Sequence, residues 1–114
     1  MLSDILKAAS IPSQAARFPD PPAVHAIYFD SVDADGPDEG PRRTFSHDCT
    51  VELYAPTTKK GDKALLQLIA ELDARGISYT TQGWYWLDAI KSYQEVIEFT
   101  YIEKNLRGGK PNEN

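Results

Sequence analysis

The sequence contains a single cysteine, Cys49, so no internal disulfide can form. This sparing use of cysteine fits a reducing compartment, and we expect the chain to be made and folded in a cytoplasm. No run of apolar residues approaches the roughly 18–20 that a membrane-spanning helix needs. The segment from Met1 to Ser10 is also too polar for a secretory signal. The sequence therefore predicts a protein without a membrane partner.

Basic residues are also scarce relative to acidic ones. Twelve lysines and arginines stand against seventeen aspartates and glutamates, which gives a formal net charge of −5. A chain with this balance has no general attraction to the phosphates of DNA or RNA. We therefore expect no sequence-specific nucleic-acid partner.

Motifs that carry catalytic chemistry are missing from the sequence as well. It has no phosphate-binding glycine loop, no G-x-S-x-G segment and no recognisable pair of carboxylates. The two histidines, His25 and His47, fall in predicted strands and match no metal-ligand spacing, and Cys49 has the position of a small buried hydrophobic residue. We expect no enzyme and no cofactor. A catalytic site built on His25, His47 or Cys49 is the most remote alternative.

A chain of 114 residues has the size of one domain with one hydrophobic core. We expect that domain to cover residues 1–104, followed by a disordered tail over 105–114, where no apolar pattern is present. The pattern predicts two helices, a short one at Ser3–Ser10 and the main one at about 60–75. It predicts strands at 23–29, 45–54, 77–81 and 93–102, with 84–87 either strand or turn.

Two of these strands carry the clearest patterns. Apolar residues alternate with polar ones from Phe45 to Leu53, and His47 falls on the apolar side. The strand over 93–102 has apolar residues on both faces, which is typical of a central strand. The order of elements predicts an α+β fold: a mostly antiparallel four-stranded sheet with the main helix on one face.

Acidic residues, glycines and prolines crowd the segment from Asp30 to Pro41, which has the composition of a loop. Part of it, Ser31–Gly36, matches the start of a calcium-binding loop. However, the first position is Ser31 and the twelfth is Arg42, where a bidentate glutamate is needed. A solvated loop that is mobile or used in binding is the preferred interpretation.

Four aromatic residues lie close together near the end of the chain: Trp84, Tyr85, Trp86 and Tyr93. Aromatic side chains of this kind fill cores, build protein interfaces or form sugar-binding platforms. So many large rings rarely all fit inside a small domain, so the sequence leaves core and interface open.

The arrangement resembles a family of bacteriophage and prophage proteins, the tail completion or tail terminator proteins, which join tails to heads in long-tailed phages. The resemblance rests on Cys49-Thr-Val-Glu-Leu-Tyr54, the helix after it, Ile77-Ser-Tyr79 and the strand Tyr93–Ile102. The opening helix, Ile11-Pro12 and the long variable loop before the second strand also fit. The two tryptophans at 84 and 86 and the Pro19–Pro22 connector depart from the pattern.

The resemblance implies a structural virion protein that forms a ring, typically a hexamer. Such a ring caps the tail tube and contacts the tail tube protein and a head-completion or connector protein. The protein would then be located in the virion, in the tail or neck, after synthesis in the bacterial host cytoplasm. Because a ring needs two different complementary patches on each subunit, charged and aromatic residues are the candidate assembly surface. They are Asp30, Asp33, Asp35, Asp38, Glu39, Arg42, Arg43, Lys59, Lys60, Trp84 and Trp86.

Within this set, the acidic loop is a candidate either for contact with the basic residues of another subunit or for lining the opening of the ring. In the second role its negative charge would keep passing DNA from sticking. Two alternatives to a tail completion protein stay open. One is another neck adaptor or a tail-tube-like subunit, and the other is a small bacterial binding module that uses the Trp84–Tyr93 aromatic surface for a carbohydrate or peptide.

Overall fold

The computed structural model describes residues 1–35 and 43–105. Within these ranges the chain forms two helices and six strands. In chain order they are α1 (Leu2–Ala8), β1 (Ser13–Ala15), β2 (His25–Asp35), β3 (Arg43–Ala55), α2 (Thr58–Ala74), β4 (Tyr79–Thr81), β5 (Tyr85–Leu87) and β6 (Ser92–Asn105). Neither helix has the length and apolar character to cross a membrane, within the part of the chain that the structure describes.

All six strands belong to one mixed sheet. Its order is β1-β2-β3-β6-β4, and β5 also pairs with β6. The β1–β2 pair is parallel, whereas the other pairs are antiparallel. The predicted four-stranded, mostly antiparallel sheet was therefore wrong, although the fold is α+β. β1 was not predicted, and β5 was left as either strand or turn; each has only three residues, too few to show an alternating pattern.

The acidic segment after Phe29 is not all loop. β2 continues through Asp35 and pairs residue by residue with β3, from His25 opposite Tyr54 to Asp35 opposite Thr44. The prediction of a loop from Asp30 was wrong. Acidic residues are rare in strands, so they indicated a loop, but an exposed strand tolerates them. Residues 36–42, which include the glycines and prolines of the predicted loop, lie outside the described residues.

The main helix matches its prediction closely. Thr57 caps its N-terminus, where the side chain accepts a hydrogen bond of 3.2 Å from the backbone N–H of Lys60. The chain leaves the helix at Gly76, whose φ of +67° is the left-handed conformation that glycine adopts without strain. The predicted range of 60–75 thus corresponds to Thr58–Ala74.

The core lies between the sheet and the two helices, which pack on the same face. Leu53, Leu68, Leu72 and Ile97 have no exposed surface. The predicted alternation in β3 is confirmed, since Phe45, His47, Cys49, Val51 and Leu53 are all buried. β6 is central, as expected, because it pairs with β3 on one side and with β4 and β5 on the other. It ends at Asn105, and residues 106–114 lie outside the described part of the chain.

The opposite face of the sheet carries the other half of each alternating pattern, and we call it the open face. Cross-strand pairing aligns its residues in rows, among them Phe29–Thr50–Glu98 and Ile27–Glu52–Val96. Neither α1 nor α2 contributes to it, because both helices pack into the core on the other side. The open face is therefore the broadest part of the described sheet that is not covered by a helix.

Candidate assembly surfaces

Asp30, the first residue of the predicted acidic loop, is an exposed residue whose side chain joins a cluster on the helix-covered side of the sheet. Both of its carboxylate oxygens lie 3.0 Å from Nδ1 of His47. Nε2 of His47 lies 2.9 Å from Oε1 of Glu103, and the ring stacks on Tyr101 with centroids 4.3 Å apart. This carboxylate is thus committed within the chain, so it is a poor candidate for contact with another subunit.

The same cluster determines the protonation state of Cys49, the single cysteine in the sequence. Burial and the nearby Asp30 carboxylate raise the pKa of the Cys49 thiol to about 12. A reactive cysteine needs the opposite environment, one that lowers the pKa and favours the thiolate. The Cys49 thiol is therefore protonated at neutral pH, which disfavours a cysteine nucleophile paired with His47.

The second histidine, His25, links the Pro19–Pro22 connector to strand β2. Its Nδ1 lies 2.7 Å from the carbonyl oxygen of Pro22, and its ring stacks on Tyr54 with centroids 4.9 Å apart. The Phe18 ring approaches it edge-on at 5.4 Å. Burial lowers the pKa of His25. These contacts give the residue a structural role at one end of the open face.

The other predicted charged residues fall into three groups. Asp33 is exposed on the open face, whereas Lys59 and Lys60 are exposed in the first turn of α2. Asp35 and Arg43 are the end residues of β2 and β3. Asp38, Glu39 and Arg42 lie outside the described residues. Because Ser31–Asp35 is extended strand, this part of the calcium-loop match lacks the required turn.

The lysines of α2 are far from the acidic end of the β2–β3 hairpin within one chain. α2 follows directly after the Ala55 end of β3, whereas Asp35 pairs near the Arg43 end. The 13 residues of β3 span about 40 Å at about 3.3 Å per residue. Contact between Lys59 or Lys60 and that acidic end would therefore have to join two copies of the chain.

The four aromatic residues do not form one surface. The ring of Trp84 packs against α2 at Gly61, and its Nε1 donates a hydrogen bond of 2.8 Å to Oδ1 of Asp62. Tyr85 and Trp86 are 61% and 47% exposed, but as consecutive strand residues they point to opposite faces. Trp86 meets the ring of Tyr93 edge-on at 5.0 Å. This division disfavours a flat sugar-binding platform.

The open face combines acidic and apolar side chains, and the sequence analysis did not identify it as a site. Phe29 and Ile102 are 43% and 54% exposed there. Its carboxylates are Asp33, Asp48, Glu52 and Glu98. The alternation of Ser46, Asp48, Thr50 and Glu52 was visible in the sequence, but it has the same form as an ordinary solvated strand face.

Three carboxylates of the open face accept hydrogen bonds from neutral donors. Thr100 donates to Asp48 at 2.9 Å, and Tyr54 donates to Glu52 at 3.1 Å. The side-chain amide of Gln82 donates to Glu98 at 3.0 Å. No ion pair joins any of these carboxylates to a basic side chain among residues 1–33 and 44–103, whose side chains the structure describes. Among those residues, the negative charge of the open face is therefore not paired with a basic side chain.

A basic and apolar stripe runs along the solvent side of α2. Lys59, Lys63 and Leu66 are spaced so that they share one side of the helix, opposite the buried Ala64, Leu68 and Leu72. Leu66 is 64% exposed. We call these three residues, together with the adjacent Lys60, the outer stripe of α2.

The lysines of the outer stripe are also uncompensated. Two of them lie in the first turn of α2, where the helix dipole disfavours positive charge. Of the three acidic residues on this helix, Asp62 accepts from Trp84, Glu71 pairs with Arg75 at 2.6 Å, and Asp73 is exposed. No ion pair involves the stripe lysines in the described ranges. Unpaired lysines thus lie on the outer side of α2, and unpaired carboxylates lie on the open face at the other side of the sheet.

The chain was compared with protein-family models and with curated proteins. No protein-family model matches the chain, and no curated protein matches it significantly.

Proposed function

We propose that this chain is a structural virion protein of a long-tailed phage or prophage, a tail completion protein. In this role it caps the tail tube and joins the tail to the head as a ring, typically of six copies. The proposal starts from the sequence resemblance over residues 1–104. It places the protein in the tail or neck of the virion, in contact with the tail tube protein and a head-completion or connector protein.

The observation that supports this proposal best is the separation of charge between two sides of the molecule. A ring of identical subunits needs a head-to-tail interface, in which two different patches of each subunit meet. The acidic and apolar open face and the basic outer stripe of α2 are two such patches. They give a subunit the asymmetry that ring assembly requires.

Other properties of the described residues agree better with a structural than with a catalytic role. The pKa of Cys49 is raised to about 12. Both nitrogens of His47 contact carboxylates, and Nδ1 of His25 contacts a backbone carbonyl oxygen. These contacts leave neither side chain placed as a base beside a nucleophile.

The aromatic residues also argue against the alternative of a small binding module. Trp84 is packed on the helix, and Tyr85 and Trp86 point to opposite faces. A neck adaptor or a tail-tube-like subunit differs from a tail completion protein in its location in the particle. The proposal is therefore tested in the particle.

The direct test is to delete the gene in its source genome, induce particle production and examine the lysate by negative-stain electron microscopy. Filled heads beside unattached tails, or tails of uncontrolled length, would support the proposal. Normal joined particles would contradict it. Restoring the gene on a plasmid should restore joined particles, and a copy with an early stop codon is the matched control.

A further inference from the structure

We propose that the outer stripe of α2 in one copy docks on the open face of the next copy, head to tail. This inference rests on the proposed function and deepens it, because it assigns the two patches that join neighbouring subunits. It concerns a contact between two copies of this chain. It can be measured with purified protein, without phage particles.

Charge complementarity identifies the occupant of the open face. That face carries the carboxylates of Asp48, Glu52 and Glu98 and no ion pair within the described residues. The outer stripe carries three lysines that likewise have no acidic partner there. Opposite charges on two surfaces of one chain favour contact between copies, because each surface offers what the other lacks.

Both surfaces also carry exposed apolar groups. Leu66 stands 64% exposed among the lysines, whereas Phe29 and Ile102 are 43% and 54% exposed among the carboxylates. Exposed apolar side chains rimmed by charged groups are typical of protein interfaces. Contact between Leu66 of one copy and the apolar residues of the next would bury these groups while their charged neighbours pair.

The charges select a head-to-tail contact over a symmetric one. Two open faces packed together would set carboxylates against carboxylates, and two outer stripes would set lysines against lysines. Both arrangements are repulsive. A contact between unlike patches is heterologous, and it leaves an unused stripe at one end and an unused face at the other. Such a contact can add further copies until a ring closes.

The position of the two patches in the fold suits this arrangement. α2 packs on one face of the sheet through Ala64, Leu68 and Leu72, so its outer stripe faces away from the sheet. The open face lies on the other side of the same sheet. One layer of helix and one layer of sheet separate the two patches, and neither patch obstructs the other.

The test uses two charge-reversed variants and a mixture of two neutralised ones. Lys59→Glu/Lys63→Glu alters the stripe and keeps the open face, whereas Asp48→Lys/Glu98→Lys alters the face and keeps the stripe. Sedimentation equilibrium up to about 1 mM protein at low salt should show concentration-dependent association of the wild type. Each variant alone should associate at least about tenfold more weakly.

Mixing two neutralised variants, Lys59→Gln/Lys63→Gln and Asp48→Asn/Glu98→Gln, distinguishes a head-to-tail contact from a symmetric one. The intact stripe of the face variant can bind the intact face of the stripe variant, whereas the two neutralised patches lack opposite charges, so the mixture should form a 1:1 dimer that does not grow. A chain with all four charge reversals has its charges exchanged between the patches, and it should regain association. Salt at about 0.5 M should weaken the wild-type contact, because the charges are solvent-exposed.

Matched controls make the same changes in net charge at exposed positions outside both patches. Lys7→Glu/Arg17→Glu and Asp4→Lys/Asp88→Lys alter exposed residues outside both patches, and both should associate like the wild type. Circular dichroism and denaturant unfolding should show that all variants are folded. If a lysine variant fails to fold, Lys59→Gln/Lys63→Gln is the substitute.

Three results would overturn the inference. They are a wild type that stays monomeric up to about 1 mM, association that the patch variants leave unchanged, and a mixture that forms no dimer. A wild-type monomer whose open face binds a basic protein would assign the face to another partner and would also overturn it. None of these results decides the proposed function, because joined particles or unattached tails are scored separately in the deletion experiment.

Discussion

The two faces of β3 contrast sharply, although they alternate residue by residue along one strand. Val51 and Leu53, on the helix-covered face, have no exposed surface. Asp48, Thr50 and Glu52, on the open face, are exposed or half-buried and contact no helix. The covered face excludes water and stabilises the fold, whereas the open face contributes little buried apolar area. Alternate residues of one strand can therefore have different roles: one set stabilises the fold, and the other set is available for contact with another molecule.

The largest effect is expected from truncating a side chain beneath α2. Leu68→Ala removes a fully buried side chain, so it should lower the free energy of unfolding by about 2–5 kcal/mol. Leu66→Ala is the matched control on the same helix, because Leu66 is 64% exposed. It should change stability by less than about 0.5 kcal/mol. Urea denaturation measures both, and equal losses would contradict the difference between the covered and solvent sides.

A smaller loss is expected where Trp84 packs on α2. A Cβ added at Gly61 would overlap the Trp84 ring, so Gly61→Ala should destabilise the fold by about 1–3 kcal/mol. Alanine is otherwise the better helix former by about 1 kcal/mol. In a double-mutant cycle, Gly61→Ala should therefore cost less when Trp84 is replaced by leucine. Additive effects would show that the ring does not set this cost.

Neutralising the open face should alter stability least among the charge changes. Asp48→Asn/Glu98→Gln keeps the shapes and the neutral donors from Thr100 and Gln82. We expect a change of less than about 0.5 kcal/mol in the free energy of unfolding, since surface substitutions of this kind rarely exceed it. A loss of several kcal/mol would assign the open face to the core of the fold and contradict the comparison.

The smallest effect concerns pH at the end of the open face. Burial lowers the pKa of His25 below its ordinary value of 6.5. The unfolded chain therefore binds a proton more readily than the folded chain, and stability should fall as the pH drops below about 6.5. His25→Phe keeps a ring beside Tyr54 and should reduce this dependence. Thermal unfolding at pH 5 and pH 7.5 measures it, and an unchanged dependence would contradict the burial effect.

The sequence predicted those elements that have long, regular patterns. The buried side of β3, the main helix and the central position of β6 followed from their alternation or spacing. β1 was not predicted, and β5 was left as either strand or turn, because three residues are too few to show an alternating pattern. The continuation of β2 past Asp30 was missed because its composition is that of a loop.

The candidate surfaces were harder to predict than the fold. Lys59, Lys60 and Asp33 were identified and are exposed. Asp30 was also identified and is exposed, but its contact with His47, 17 positions away in the sequence, was not predicted. Trp84 packs on Gly61, which is also remote in the sequence. Both contacts depend on strand register and helix placement, which composition and spacing do not specify.

Sedimentation equilibrium of Phe29→Thr/Ile102→Thr tests the central claim most directly. These substitutions remove exposed apolar groups from the open face and keep residues that favour strands. If the open face serves assembly, the variant should unfold at nearly the denaturant concentration of the wild type and lose self-association. A variant that associates like the wild type, or one that no longer folds, would contradict this division between the two faces.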